Sequence, residues 1–152
     1  METNFNFKSK PCTTIEQSKL LLSWGLKKEA ADMALVPLME WDDCTAQEYF
    51  TGMYVARTKE DVERYNLDYT PAWSLDRLLE IIPENVHIPG VGQVYRIVYN
   101  GIIAYELDYI RYKTFQGYDR YIRCIECIRW LIKEGYINKE YKVEIESVKE
   151  LL

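Results

Sequence analysis

Histidine is nearly missing from this chain: His87 is the only one in 152 residues. A Ser-His-Asp triad or a histidine-based metal site would have to run through that single imidazole. It sits in Asn85-Val86-His87-Ile88-Pro89-Gly90, which reads as a loop with no partner in view. Serine is scarce as well, and none of it stands in a Gly-x-Ser-x-Gly context. Gly90-Val91-Gly92 lacks the Lys-Ser/Thr of a P-loop and the third glycine of a dinucleotide fingerprint, so it reads as a turn feeding a strand. No stretch supplies the roughly 18 apolar residues of a membrane helix. The most apolar run, 122–132, is interrupted by Arg123, Glu126 and Arg129. Residues 1–10 carry no apolar core and no cleavage-like site, which predicts no signal peptide and a cytoplasmic location where thiols stay reduced. Repeats and low-complexity linkers are missing too, so the expectation is a single domain over 1–152.

Positive charge is also short. Nineteen Lys+Arg face 24 Asp+Glu, for a net charge of −5, and there is no basic run. Duplex nucleic acid is held mainly by neutralising phosphates, so this balance argues against it. The charge is polarised along the chain: residues 29–56 carry −6 with no Lys or Arg, while 110–133 carry +4. Such polarity suits steering of a charged partner or, more simply, two solvated faces.

The sequence is rich in apolar and aromatic material: 48% of residues are hydrophobic, and tyrosine outnumbers phenylalanine 13 to 4. Thr13-Thr14-Ile15-Glu16 matches a capping box with Thr13 as N-cap, predicting a helix over 14–24 stopped by Gly25. A short helix is expected over 27–33, and Pro37 ends the segment after it. Thr45-Ala46-Gln47-Glu48 repeats the capping pattern; 53–56 resembles a strand and 58–65 a solvated helical turn. Ser74 caps a helix over 75–82, whose apolar stripe is Leu75, Leu78, Leu79 and Ile82, and Pro83 stops it.

The strongest local signal is Asn100-Gly101 between the β-rich runs 94–99 and 102–109, a type I′ hairpin. Its two-residue loop fixes the register: Tyr99 opposite Ile102, Ile97 opposite Ala104, Tyr95 opposite Glu106. One face then carries Val94, Arg96, Val98, Ile103, Tyr105, Leu107 and Tyr109. With a single charge, it is the expected core face. The other carries Tyr95, Ile97, Tyr99, Ile102, Ala104, Glu106 and Asp108. A helix is expected next over 118–134, ended by Gly135. Beyond it, 141–145 alternates like a strand and 147–152 reads as a last helical turn.

Four groups of side chains invite a functional reading. Cys124-Ile125-Glu126-Cys127 is a CxxC, but it lies within a helical pattern on the face of Tyr121, Ile128, Leu131 and Ile132, where thiols act as packing groups. No second CxxC completes it, so no metal and no cofactor is implied. Trp130 falls on the same helix's polar face amid Asp119, Arg123, Glu126, Lys133 and Glu134. It reads as a partner-binding anchor together with Arg123, unless another segment folds over it. Tyr95, Tyr99, Glu106 and Asp108 project together from the hairpin and suit protein recognition; as an acid–base pair, the two carboxylates lack any further ligand or nearby histidine. Arg111, Lys113, Arg120, Arg123 and Arg129 mix with Tyr109, Tyr112, Phe115 and Tyr118, a combination that suits single-stranded nucleic acid or an acidic protein surface.

Cys12-Thr13-Thr14-Ile15-Glu16-Gln17-Ser18, Ala31-Asp32-Met33, Pro71-Ala72-Trp73-Ser74-Leu75 with Leu78-Leu79-Glu80, and Trp130-Leu131-Ile132 through Gly135-Tyr136-Ile137 together resemble a family. It is that of small uncharacterised proteins encoded by gut anaerobic bacteria and their phages and mobile elements. The resemblance implies a compact cytoplasmic α+β domain and brings no activity, cofactor or catalytic residue.

The expected fold is thus α+β, a small antiparallel sheet around the 94–109 hairpin with helices 14–24, 75–82 and 118–134 packed on one face. The expected function is a non-enzymatic interaction module, an accessory protein of a phage or mobile element that binds a host protein. One alternative is a small-ligand or nucleotide binder, such as an anti-defence sponge, with a closed pocket lined by Tyr and Arg. The other is a small enzyme using Glu106 and Asp108 in a deep cleft.

Overall fold

The structure, a computed structural model, describes residues 10–37, 54–99 and 101–143. Each helix begins where a side chain can satisfy free N–H groups of a first turn. α1 (Ile15–Ser23) starts at Thr14, whose hydroxyl accepts from the Gln17 N–H while the Gln17 side chain accepts from the Thr14 N–H. The capping box therefore sits one residue later than the pattern suggested. Thr13 is committed elsewhere: fully buried, its hydroxyl lies 2.7 Å from Ser18 Oγ and accepts the Trp73 N–H at 3.1 Å. α2 (Lys59–Tyr65), α3 (Leu75–Ile81) and α4 (Arg120–Glu134) start on Thr58, Ser74 and Asp119. Gly135, at φ 79°, closes α4 in the left-handed region that glycine enters without a Cβ penalty.

The helix expected over 27–33 is replaced by a 3-10 turn, Lys28–Ala30, followed by β1 (Met33–Pro37). β1 is the centre of an antiparallel three-stranded sheet, between β2 (Tyr54–Thr58) and β3 (Thr70–Ala72). No alternating signal marks β1 in the sequence because both of its faces are covered. Ala34 and Val36 bury beside Val62 of α2, while Leu35 buries with Cys12, Ile15 and Ala72.

The second sheet is an antiparallel meander of β4 (Asn85–Ile88), β5 (Gly92–Tyr99), β6 (Ile102–Leu107) and β7 (Ile110–Phe115). The hairpin register is the one expected, with Tyr99 opposite Ile102, Ile97 opposite Ala104 and Tyr95 opposite Glu106. Gly101 has φ 75°, as the second position of a type I′ turn requires. Two strands flank this hairpin that the sequence did not announce. β4 contains His87, expected in a loop. β7 follows a turn at Asp108 and Tyr109, whose φ values are 51° and 64°. Two left-handed residues are needed by a two-residue hairpin, yet neither is the glycine that would have signalled it.

Val86, Ile88, Val94, Ile103, Tyr105 and Phe115 form the inner face of this sheet. They share one core with Leu21 and Trp24 of the first helix segment, Leu78 and Ile81 of α3, and Tyr121, Cys124, Ile128 and Leu131 of α4. Helices thus pack on one side of the hairpin sheet, and the class is α+β as expected. Arg96, the one charge on the inner face of the β5–β6 hairpin, donates Nη1 to the carbonyls of Leu79 (2.7 Å) and Ile82 (2.8 Å) at the C-terminal end of α3. A cation on free carbonyls at a helix C-terminus is favourable, which is how the inner face tolerates it. No helix of the described residues is long and apolar enough to cross a membrane. After a turn at Lys139–Tyr141, the chain returns to α1's end, where the Val143 N–H donates to the Gly25 carbonyl at 2.8 Å. The Thr45–Glu48 capping match and the pattern after 143 lie outside the described residues.

Candidate functional site

The outer face of the four-stranded sheet carries the hairpin residues singled out for recognition. Tyr95 and Tyr99 are 55% and 60% exposed, with Ile97 between them on the same strand face. Ile102 sits across from Tyr99, and Ala104, fully buried, lies across from Ile97 in the middle of the sheet. Glu106 faces Tyr95, and its carboxylate accepts from Arg111 Nε of β7 at 3.3 Å. Asp108 does not continue this row: its left-handed backbone places it in the β6–β7 turn, exposed. The two carboxylates therefore do not converge as an acid–base pair. One is neutralised by an arginine on an open sheet face, and the other stands at a turn.

Of the two readings of Trp130, an exposed anchor or a ring under another segment, the structure shows the second: the ring is half-buried. It packs among Tyr105 (5.8 Å between centroids), Phe115 (5.6 Å) and Tyr136 (5.4 Å), all at tilted angles that aromatic pairs favour. The cover comes from β6, from the unannounced β7 and from the residue after Gly135. The uncovered part of the ring lines an open groove with Lys113, Arg129 and Lys133.

Arg123 also differs from its expected role. It is half-buried, donating Nε to the Gly117 carbonyl at 2.8 Å and Nη1 to the Gly101 carbonyl. It holds the tip of the β5–β6 hairpin against the loop before α4. This clamp borders a cavity of about 210 Å³ between α3, α4 and the hairpin, lined by Leu75, Leu79, Val98, Gly101, Ile103, Arg120, Arg123 and Cys124. Val98 was expected in the core; it is 55% exposed because the hairpin end extends past the helices. Tyr109, placed on the same face by alternation, is 99% exposed because it has left the strand for the turn.

Among the described residues, the thiols of Cys12, Cys124 and Cys127 and the imidazole of His87 take no part in a constellation. Cys124 and Cys127 are buried in the core, and burial pushes the Cys124 thiol up to about 12 and that of Cys127 higher still. Both are held protonated, the wrong form for a nucleophile. Cys12 is buried and likewise raised to about 12, by burial first and by Asp32 second. His87 is exposed on β4, paired in register with Gln93. Among the described residues no group of histidine, cysteine, aspartate and glutamate gathers as a cation would need. The basic–aromatic mixture is dispersed over separate surfaces. Arg111 serves the outer sheet face, Lys113 the groove beside Trp130, Arg120 and Arg123 the α3–α4 cavity, and Arg129 stacks on Trp24 at 5.8 Å.

The sequence singled out Tyr95, Tyr99, Glu106 and their shared register, and it identified Leu75 and Leu79 as neighbours on one stripe. It missed the cavity because its walls come from three segments far apart in the chain. The i, i+3 spacing of Arg120 and Arg123 on one helix face was the available signal. No family model, curated protein or solved structure matches this chain.

Proposed function

We propose that this protein is a non-enzymatic interaction module that docks a protein partner on the outer face of its four-stranded sheet. The observation that carries this reading is the row Tyr95–Ile97–Tyr99 on an open strand face, with both tyrosines more than half exposed. Tyrosine presents large amphipathic contact area with little side-chain entropy to lose on binding. The neighbouring Glu106–Arg111 pair supplies a polar rim. A net charge of −5 and dispersed cations argue for a protein rather than duplex nucleic acid as the partner. The narrower reading, an accessory protein of a phage or mobile element acting on a host protein, draws on the sequence resemblance.

The test compares the wild type with a Tyr95→Ser/Tyr99→Ser variant in affinity capture, with the melting temperature of each measured alongside. The reading expects a partner retained by the wild type and lost by a variant of unchanged stability. A partner held equally by both forms overturns the assignment of this face.

A further inference from the structure

We propose that the cavity between α3, α4 and the β5–β6 hairpin binds a small carboxylate with an apolar body. This inference is independent of the sheet-face reading and uses different residues. The walls are the side chains of Leu75, Leu79, Val98, Ile103 and Cys124, all apolar. The charged lining consists of Arg120 and Arg123, with no acidic residue among the described lining residues. Two cations beside one apolar recess with no acidic residue among its described lining give the recess a positive potential that favours an anion. Arg120 is exposed and makes no ion pair within the described residues. Arg123 is held in place: its Nε and Nη1 are spent on the Gly117 and Gly101 carbonyls, which fixes the plane of the guanidinium and leaves Nη2 to bind. An arginine oriented before the ligand arrives loses little entropy on binding.

Size and donor count set the ligand class. A cavity of about 210 Å³ exceeds the ~150 Å³ that encloses a benzene ring and falls short of the ~300 Å³ where drug-sized sites begin. It suits about eight to ten non-hydrogen atoms and excludes a whole nucleotide. With Nε and Nη1 of Arg123 already donating to carbonyls, the remaining donors match the two oxygens of a carboxylate better than a phosphate, which draws on more donors. Arylacetic acids and branched short-chain fatty acids fit this description.

The probes are phenylacetate, 4-methylpentanoate, the neutral phenylacetamide and inorganic phosphate, titrated calorimetrically into the full chain. At ordinary ligand efficiency, binding of the two acids is expected in the range of ~10 µM to ~1 mM. Phenylacetamide is expected to bind about tenfold or more weakly, since a charge-assisted bond is lost. Arg120→Gln should weaken both acids by a similar factor and leave melting unchanged. Val98→Trp, made at a position 55% exposed on the rim, should abolish binding by filling the mouth. Val98→Glu does so by repulsion if tryptophan disturbs the fold. The proposal is overturned if neither acid binds, if the amide binds as well as the acid, if phosphate alone binds as well, or if binding survives both the Arg120 and the Val98 substitutions.

Discussion

Replacing Trp130 with alanine removes an indole held by three aromatic neighbours at 5.4–5.8 Å. Complete burial of such a ring makes truncation cost about 3–5 kcal/mol. Trp130 is half-buried, which reduces the lost transfer and cavity energy to about 2 kcal/mol. The aromatic pairs add about 0.5–1.5 kcal/mol each beyond area, but Tyr105, Phe115 and Tyr136 keep other contacts after truncation, so less than one full pair's worth is expected to be lost. The expected total is about 2–3 kcal/mol. For a chain of 152 residues this lowers the melting temperature by about 4–12 °C. Urea titration followed by far-ultraviolet dichroism should show an earlier midpoint with an unchanged slope, because the loss is in packing and not in the extent of unfolding. Trp130→Phe should lose about half as much, since a smaller ring still reaches part of the cluster. Melting of Trp130→Ala within error of the wild type would refute this reasoning and restore Trp130 as a free surface anchor.

Thr13→Val keeps the shape of a buried side chain but removes the hydroxyl that meets Ser18 Oγ and accepts the Trp73 N–H; a loss of about 1–3 kcal/mol in urea titration is expected. Asp119 is held below the usual carboxylate range: burial opposes ionisation, but the bond from Lys10 Nζ at 2.8 Å and the Tyr121 N–H outweigh it. A lowered folded-state value means that its stabilising share is present above the unfolded value of about 4 and is lost as pH falls through the folded value. Asp119→Asn keeps the helix cap and removes the Lys10 pair, so its stability deficit at neutral pH should close progressively below about pH 4 in acid titration. Cys12 and Cys127 are buried and held protonated, so iodoacetamide with site-resolved mass spectrometry should leave them unlabelled at neutral pH and modify them in denaturant; labelling in the native protein would contradict the core assigned to them.

The elements legible in the chain were those governed by neighbours in sequence. Ser74 and Gly135 mark helix ends through bonds and dihedral angles within a few residues, and Asn100-Gly101 set the register of the hairpin by loop length alone. β7 was hidden because its turn uses Asp108 and Tyr109 in a conformation that side chains rarely adopt; only pairing with β6 holds them there. Whether Trp130 is covered stayed open in the sequence for the same reason, since a helical wheel knows nothing of a strand that packs over its polar arc. Arg123 stands among charges on that wheel, and the carbonyl it clamps at the hairpin turn belongs to Gly101, 22 residues away.

The sequence by itself determined the class of the fold, the start of α3, the end of α4 and the two faces of one hairpin, because capping bonds, turn dihedrals and strand alternation act over a few residues. Tertiary structure alone decided that β1 is covered on both faces, which tryptophan was covered, and where two arginines met an apolar recess. Those outcomes depend on segments far apart in the chain competing for the same volume, and no local pattern records which of them arrives.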